Sequence, residues 1–289
     1  MPRLLRFPLI RLLAGILLVA VPYFVIVTKL LYRFLDLFHN QSVLFIIRPL
    51  TYLTIALVVI ALYGVYVGWV ERRSLTELLP ANRGRWIKNG IFYASLFTAT
   101  VFVPLWINGN LTVVATNGWQ YVPQVLALAV MAGAVEEVLF RALLFRLIEE
   151  AVGSVWAIFI VSFLFSLSHY ANPGTTVWRA GLAGLEAGLT LPVLFILTRN
   201  LWLCMTAHVT WDALNFVIGI PEAGGPTQGY FTSLLAGDER LTGSPFGVEF
   251  SLLVSGLASL VGFYLLWVAY RQNALVKGKR YRFFPAQPM

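Results

Sequence analysis

Apolar runs recur along the whole chain, broken by short clusters rich in arginine, asparagine, glycine and proline. Runs of 18 or more such residues are about what the ~30 Å hydrocarbon core of a bilayer demands of a helix. Eight spans of about that length can be drawn, at Leu9–Val27, Leu50–Val70, Gly90–Ile107, Val122–Ile148, Ser154–Tyr170, Val177–Thr198, Leu201–Ile220 and Phe250–Tyr270. The pattern predicts an all-α polytopic membrane protein of about eight transmembrane helices, with no separate soluble domain.

Composition agrees. Of 289 residues, 59% are hydrophobic and 12% charged, where soluble domains carry about 25% charged residues. Mean hydropathy is +0.78. The net charge of +8 would raise the question of nucleic acid in a soluble protein. Here the basic residues flank apolar runs as membrane-facing charges do, so no nucleic-acid partner is expected. Cys204 is the only cysteine, which excludes an intramolecular disulfide and any CxxC metal knuckle. The basic start and apolar stretch of residues 1–28 lack a clear small-residue cleavage site and read as a retained first helix.

Orientation follows from the Lys/Arg asymmetry of the loops. Arg72, Arg73, Arg83, Arg85 and Lys88 lie between the second and third runs, whereas residues 108–121 carry no charge. The first loop is expected inside and the second outside. Alternation then places Arg141, Arg146, Arg199, Arg271, Lys277, Lys279, Arg280 and Arg282 inside and both termini in the cytoplasm. Lys29, Arg33 and Arg48 run against this trend, while the mostly acidic loop 221–249 (Glu222, Asp238, Glu239, Glu249) fits the outside. A lone cysteine and a compact eight-span plan favour a bacterial cytoplasmic membrane. Gly184 and Gly188 form a GxxxG step suited to close helix packing.

Ionisable side chains inside a membrane are costly and are functional candidates by default. This chain keeps Glu136 and Glu137 in the fourth run, His169 at the end of the fifth, Glu186 in the sixth, and His208 and Asp212 in the seventh. Adjacent residues on a helix point about 100° apart, so the two glutamates cannot serve one site equally. Glu137 and Arg141 have the i, i+4 spacing of an ion pair, which frees Glu136 to face a cavity. Glu136 is therefore the candidate catalytic carboxylate, and Glu137 with Arg141 its scaffold. A purely structural network locking two helices is the competing reading. His169 stands one turn beyond Phe165, and a histidine at the end of a span is commonly an interfacial hydrogen-bonding residue. His208 and Asp212 are again i, i+4, so the carboxylate can orient the imidazole. Glu186 reads as a packing or gating residue. At about 1.5 Å per residue, Glu136 lies roughly 18 Å, His208 roughly 10–12 Å and His169 roughly 22–24 Å from the inner ends of their spans. A common site then requires tilted or uneven helices.

The ordered set EExxxR (Glu136–Arg141), FxxxH (Phe165–His169) and HxxxD (His208–Asp212) resembles the motifs of the CAAX-protease and bacteriocin-processing (CPBP) intramembrane endopeptidases. The stretch Glu71–Leu78 is similar to a segment that bacterial members carry before their core. The resemblance implies a protease core over 71–271, preceded by variable spans over 1–70 and followed by a basic cytoplasmic tail over 272–289. It also implies hydrolysis of peptide bonds in CAAX-type or related peptide or membrane-protein substrates, within the lipid bilayer. In the metal-free version Glu136 is the general base on a water also held by His169, while His208 and the residue four beyond it hold the oxyanion. In the metalloprotease version Glu136, His169 and His208 bind one Zn²⁺. Some relatives have Asn where this chain has Asp212. An ionised carboxylate would repel an oxyanion, so Asp212 is better suited to orienting His208. The alternatives are a non-catalytic membrane scaffold or bacteriocin-immunity factor, and, less favoured, a transporter, which would normally show repeated halves.

Overall fold

The computed structural model describes residues 5, 7–78, 82–221 and 229–278. Glu222 and the basic residues Lys279, Arg280 and Arg282 lie outside the described residues. Among the described residues the chain is all-α but for one two-stranded ribbon. Each of the eight apolar runs is helical: α1 (Pro8–Leu35), α2 (Gln41–Glu71), α3 (Arg83–Ile107), a fourth unit described below, α5 (Ser154–Tyr170), α6 (Val177–Thr198), α7 (Leu201–Ile218) and α8 (Leu252–Arg271). Six of them (α1, α2, α3, α6, α7 and α8) are long and apolar enough to cross a membrane, and α5 is a shorter apolar helix of 17 residues. Large apolar side chains such as Leu17, Leu57, Phe92, Phe163, Leu260 and Trp267 face outwards. An outer surface of that kind suits lipid rather than water.

Stretches of π-helix occur in α1 (Ile16–Ala20 and Ile26–Leu31) and at the end of α2 (Val67–Glu71), and the fourth unit, α4, is likewise a composite. An α-helical stretch, Val122–Glu136, runs directly into a π-helical stretch, Glu137–Phe145, and returns to α geometry over Arg146–Val152. The sequence pattern predicts a continuous apolar helix here and gives no sign of the π stretch. Wide π turns are rare and are frequent at functional sites.

Packing is organised around two helices. The most buried is α6, with 56% of its apolar window inside the molecule against 17% for α1, and it lies between α5 and α8. The other, α7, lies between α3 and α4. Small residues permit these approaches. A side chain at Gly184 or Gly188 would run into Ser166 or Ser162 of α5, which accounts for the GxxxG step as helix packing. On the other flank Trp211 of α7 stacks beside Phe97 and Phe102 of α3, with centroids 5.5 and 6.0 Å away. The α7 helix starts where the Asn200 side chain accepts from Trp202 N and Leu203 N, and it stops at Gly219 in the left-handed region.

The ribbon was not legible as such. Strand β1 (Leu111–Thr116) pairs antiparallel with β2 (Phe231–Leu235), Leu111 opposite Leu235 and Thr116 opposite Phe231, with an irregularity between Val113 and Ala115. Its strands come from two loops that the hydropathy pattern separates by more than a hundred positions. Leu111 seals the ribbon onto a small apolar cluster with Val101, Phe102, Leu105, Trp211 and Val254.

At the opposite end of the bundle, charges are buried together. Glu71 is 1% exposed and accepts from Arg11 Nη1 (3.2 Å), Arg73 Nε (2.8 Å) and Arg146 Nη2 (2.7 Å). Arg11 continues to Glu150 and Arg73 to Glu77, while Tyr66 Oη donates to the Arg11 carbonyl. Arg199 pairs with Glu149, and Ser154 Oγ takes the Val276 N–H. Tyr63 Oη donates to Glu77 and lies 3.1 Å from the Ala142 carbonyl. Arginines that sequence reasoning takes as solvated flanks are thus the clamps that tie α1 and α2 to α4.

Burial opposes the ionisation of Glu77, but hydrogen bonds from Arg73 and Tyr63 outweigh it and hold its carboxyl at about 2, below the ordinary 4.5. The stabilisation from a carboxyl lowered in this way is complete above the unfolded value and is lost as pH falls through the folded one. Glu77→Gln is therefore expected to lower the thermal midpoint in detergent at neutral pH. The difference from wild type should narrow as pH falls from about 5 to about 2; a pH-independent difference would show that the charge of Glu77 is not what stabilises.

Candidate active site

The site forms where the α-to-π junction of α4 faces α7. At Gly133 a Cβ would stand 2.6 Å from Val209 Cγ2 and 3.1 Å from Val209 N, so only a glycine lets the two backbones come this close. One turn further along α4, Glu136 and Glu137 arrive beside His208.

Their environments are different. Glu137 and Arg141 are both fully buried, and Arg141 Nη1 donates to Glu137 Oε1 at 2.8 Å. The same Oε1 lies 2.8 Å from His208 Nδ1. The other end of the guanidinium, Nη2, donates to the Ala187 carbonyl of α6 at 2.7 Å. One buried carboxylate and one buried cation thus join α4, α6 and α7. Glu136 is 31% exposed in its side chain, and its Oε2 is 3.9 Å from His208 Nε2. The separation of the pair into an ion-paired scaffold and an accessible carboxylate matches the i, i+4 argument from sequence.

A carboxylate held by an arginine can only accept, so the proton between Glu137 and His208 sits on Nδ1. Nε2 is then the ring nitrogen presented to Glu136. Asp212 Oδ1 is 3.6 Å from that same Nε2, beyond direct hydrogen-bond length. The short contact that sets the ring therefore comes from Glu137 and not, as the spacing suggests, from Asp212. The reason is reach: Glu137 meets Nδ1 across the helix interface, whereas Asp212, one turn along α7, is left on the Nε2 side.

The π stretch is held by side chains from outside it. The Arg146 N–H bonds the Arg141 and Leu143 carbonyls, passing over Ala142. The Ala142 carbonyl instead accepts from Arg146 Nε at 2.9 Å and lies beside Tyr63 Oη. Neither partner was foreseen as part of the site; the signal was Glu77 and its neighbouring arginines in the stretch Glu71–Leu78.

His169 is placed differently. It is half-buried at the C-terminal end of α5, its Nδ1 3.1 Å from the Phe165 carbonyl and its ring stacked on Phe165 at 4.5 Å. The Arg141 guanidinium lies over the same phenyl ring at 5.4 Å, and Phe140 meets it edge-on at 5.0 Å. Phe165 therefore couples the His169 motif to the Glu137–Arg141 pair, without a direct contact between His169 and either Glu136 or His208 among the described hydrogen bonds and ion pairs. Among the described residues no group of three or more His, Cys, Asp or Glu side chains is placed to hold a metal ion. Of the trio Glu136, His169 and His208, the described contacts join Glu136 and His208, while His169 Nδ1 turns to its own helix.

Residues 117–214 match a family model described as type II CAAX prenyl endopeptidase Rce1-like. The matched stretch includes Glu136, Glu137, Arg141, His169, His208 and Asp212, and it points to a membrane protease of the CAAX type. Comparisons with curated proteins and with solved structures returned no match.

The two glutamates should separate cleanly by stability. Removing one partner of a buried ion pair costs about 3–5 kcal/mol, so Glu137→Gln is expected to destabilise strongly in detergent unfolding experiments. Glu136→Gln, at a partly exposed position, should change stability by less than about 1 kcal/mol. Equal losses would mean that Glu136 belongs to the structural network.

Proposed function

We propose that the chain is an intramembrane endopeptidase that hydrolyses peptide bonds in CAAX-type or related membrane-associated substrates, with Glu136 as the base that activates water. The observation that carries this reading is the placement of an accessible carboxylate beside a histidine whose ring a second, fully buried carboxylate holds through Nδ1. Hydrolysis needs a base within reach of a water and a donor for the oxyanion. Glu136 takes a proton from water, and the hydroxide adds to the scissile carbonyl carbon. The oxyanion formed is met by Nε2–H of His208 in its protonated form, with Nδ1–H remaining on Glu137. As the C–N bond breaks, the proton held by Glu136 passes to the leaving amine, which returns Glu136 to its starting state.

Asp212 is a positioning residue in this scheme. Its Oδ1 lies 3.6 Å from Nε2, a placement that can steady the ring, whereas an ionised carboxylate in direct contact with an oxyanion would repel it. Arg141 pairs with Glu137 and so holds the carboxylate where it orients His208. His169 acts as a positioning residue, stacked on the Phe165 ring that also lies under the Arg141 guanidinium. All these steps are carried by side chains of the chain itself.

The test is cleavage of a panel of quenched fluorescent peptides, with and without a prenylated CAAX terminus, by purified full-length protein in nanodiscs. Loss of a general base typically costs 10²–10⁴-fold, so Glu136→Gln should lower kcat by that order with little change in KM. His208→Ala should do the same, and His169→Ala should reduce activity less. A strong chelator is expected to leave the rate unchanged; chelator-sensitive cleavage restored by zinc would replace this scheme with a metal-based one. Failure of folded wild-type protein to cleave any of the panel would favour a scaffold or immunity role.

A further inference from the structure

Ser255 Oγ donates to the Leu182 carbonyl and Thr190 Oγ1 to the Ala258 carbonyl, so α6 and α8 run side by side in the same direction. Where both begin lies a pocket of about 200 Å³. Trp178 and Arg179 line it from the first turn of α6, Phe250 from just before α8, and Asp238, Glu239 and Arg240 from the loop between. The 22 residues of α6 span about 33 Å at ~1.5 Å each, close to the ~30 Å of a hydrocarbon core. Its first turn therefore stands at headgroup level. Trp178 is 58% exposed there, beside Val177 at 75% and Leu241 at 55%. An exposed tryptophan among apolar neighbours suits the boundary between headgroups and acyl chains.

The charges of the wall select the occupant. Arg179 is already engaged: it pairs with Glu239, donates to the Gly174 carbonyl at 3.3 Å and lies 3.6 Å from the Phe246 ring centroid. Asp238 accepts the Arg240 backbone N–H at 2.8 Å, which leaves the charge of its carboxylate without a cation among the described ion pairs. The Arg240 guanidinium has no hydrogen bond or ion pair among the described residues. One cation and one anion thus line the same small pocket. A phosphate matches the forked N–H groups of a guanidinium, and a primary ammonium brings three donors to carboxylates. A headgroup that is only anionic would face the Asp238 charge uncompensated, and a quaternary ammonium has no N–H to donate.

We infer that this pocket binds the headgroup of one phosphatidylethanolamine, its phosphate met by Arg240 and its ammonium by Asp238 and Glu239. The glycerol and acyl chains pass along Val177, Trp178 and Leu241 into the bilayer. None of these residues belongs to the Glu136–His208 site, so the inference stands whether or not the protease reading does.

The experiment is native mass spectrometry of full-length protein released from nanodiscs that contain phosphatidylethanolamine, phosphatidylglycerol and phosphatidylcholine in equal amounts. Wild type is expected to retain one phosphatidylethanolamine in clear preference to the other two. Arg240→Gln should weaken its retention roughly fivefold. Asp238→Asn keeps the side-chain cap, since Asn caps as well as Asp, but removes the charge, so the preference should move from phosphatidylethanolamine to phosphatidylglycerol. Trp178→Ala should lower retention without changing which lipid is preferred, and Arg85→Gln, at an exposed cation elsewhere, should change neither. Glycerophosphoethanolamine, the same headgroup without chains, should not displace the lipid when added in excess. Thermal unfolding of each variant confirms that a lost lipid reflects the site and not lost folding. A wild type without preference for phosphatidylethanolamine, an unchanged preference in folded Arg240→Gln or Asp238→Asn, or displacement by the soluble headgroup would each overturn the assignment.

Discussion

A carboxylate cannot sit dry inside a helical bundle unless cations and donors meet it on the spot, and Glu137 is such a carboxylate. Its Oε1 is shared by Arg141 and His208, and Arg141 spends its other nitrogen on the Ala187 carbonyl. These contacts fix the rotation of α4 relative to α7 and its distance from α6. Once Glu137 is locked inwards, its neighbour Glu136 is turned about 100° away, towards the accessible side of His208. The most exposed carboxylate of the site owes its position to the most buried one. The same lock requires Gly133, because a larger residue would hold α4 and α7 apart and leave Glu137 short of the imidazole.

A second constraint acts from the other end of the bundle. Glu71 gathers three arginines from α1, the stretch after α2, and α4. Through Arg146 and Tyr63 that cluster reaches the Ala142 carbonyl, one residue beyond Arg141. A π turn is energetically unfavoured by itself, so the side chains that satisfy its displaced carbonyl help to decide where it forms. The first two helices are therefore more than an appendage: Tyr63 of α2 touches the turn that carries the ion pair of the site.

The sequence revealed much of this and missed specific parts for physical reasons. The helical runs were legible from their apolar length, six of them being long and apolar enough to cross a membrane, and the pairing of Glu137 with Arg141 followed from their i, i+4 spacing. The π stretch was not legible, since one widened turn leaves hydrophobicity unchanged. The ribbon was hidden because β1 and β2 lie far apart in sequence, and their pairing is a tertiary fact. Asp212 looked like the partner of His208 because i, i+4 spacing is visible in one helix, whereas the shorter contact from Glu137 crosses between two. Arg73 and Arg146 read as inner-loop and span-end charges because the convergence on Glu71 that they share with Arg11 joins residues as far as 60 and 75 positions apart.

Burial is distributed in keeping with these roles. The α6 helix, which receives Arg141 and packs on α5 and α8, is the most enclosed of the candidate spans, and α1 the least. A helix so little enclosed gains little from protein packing and depends on what surrounds it. In a bilayer its outward side chains carry no hydrophobic penalty, because lipid tails are as apolar as the leucines they touch. The α1–α2 hairpin is clamped by charge at its open end, through Arg11 and Glu71, and that clamped end keeps Tyr63 on the π turn. Rigidity near the chemistry and tolerance at the lipid-facing edge are then two consequences of where this chain places its charges.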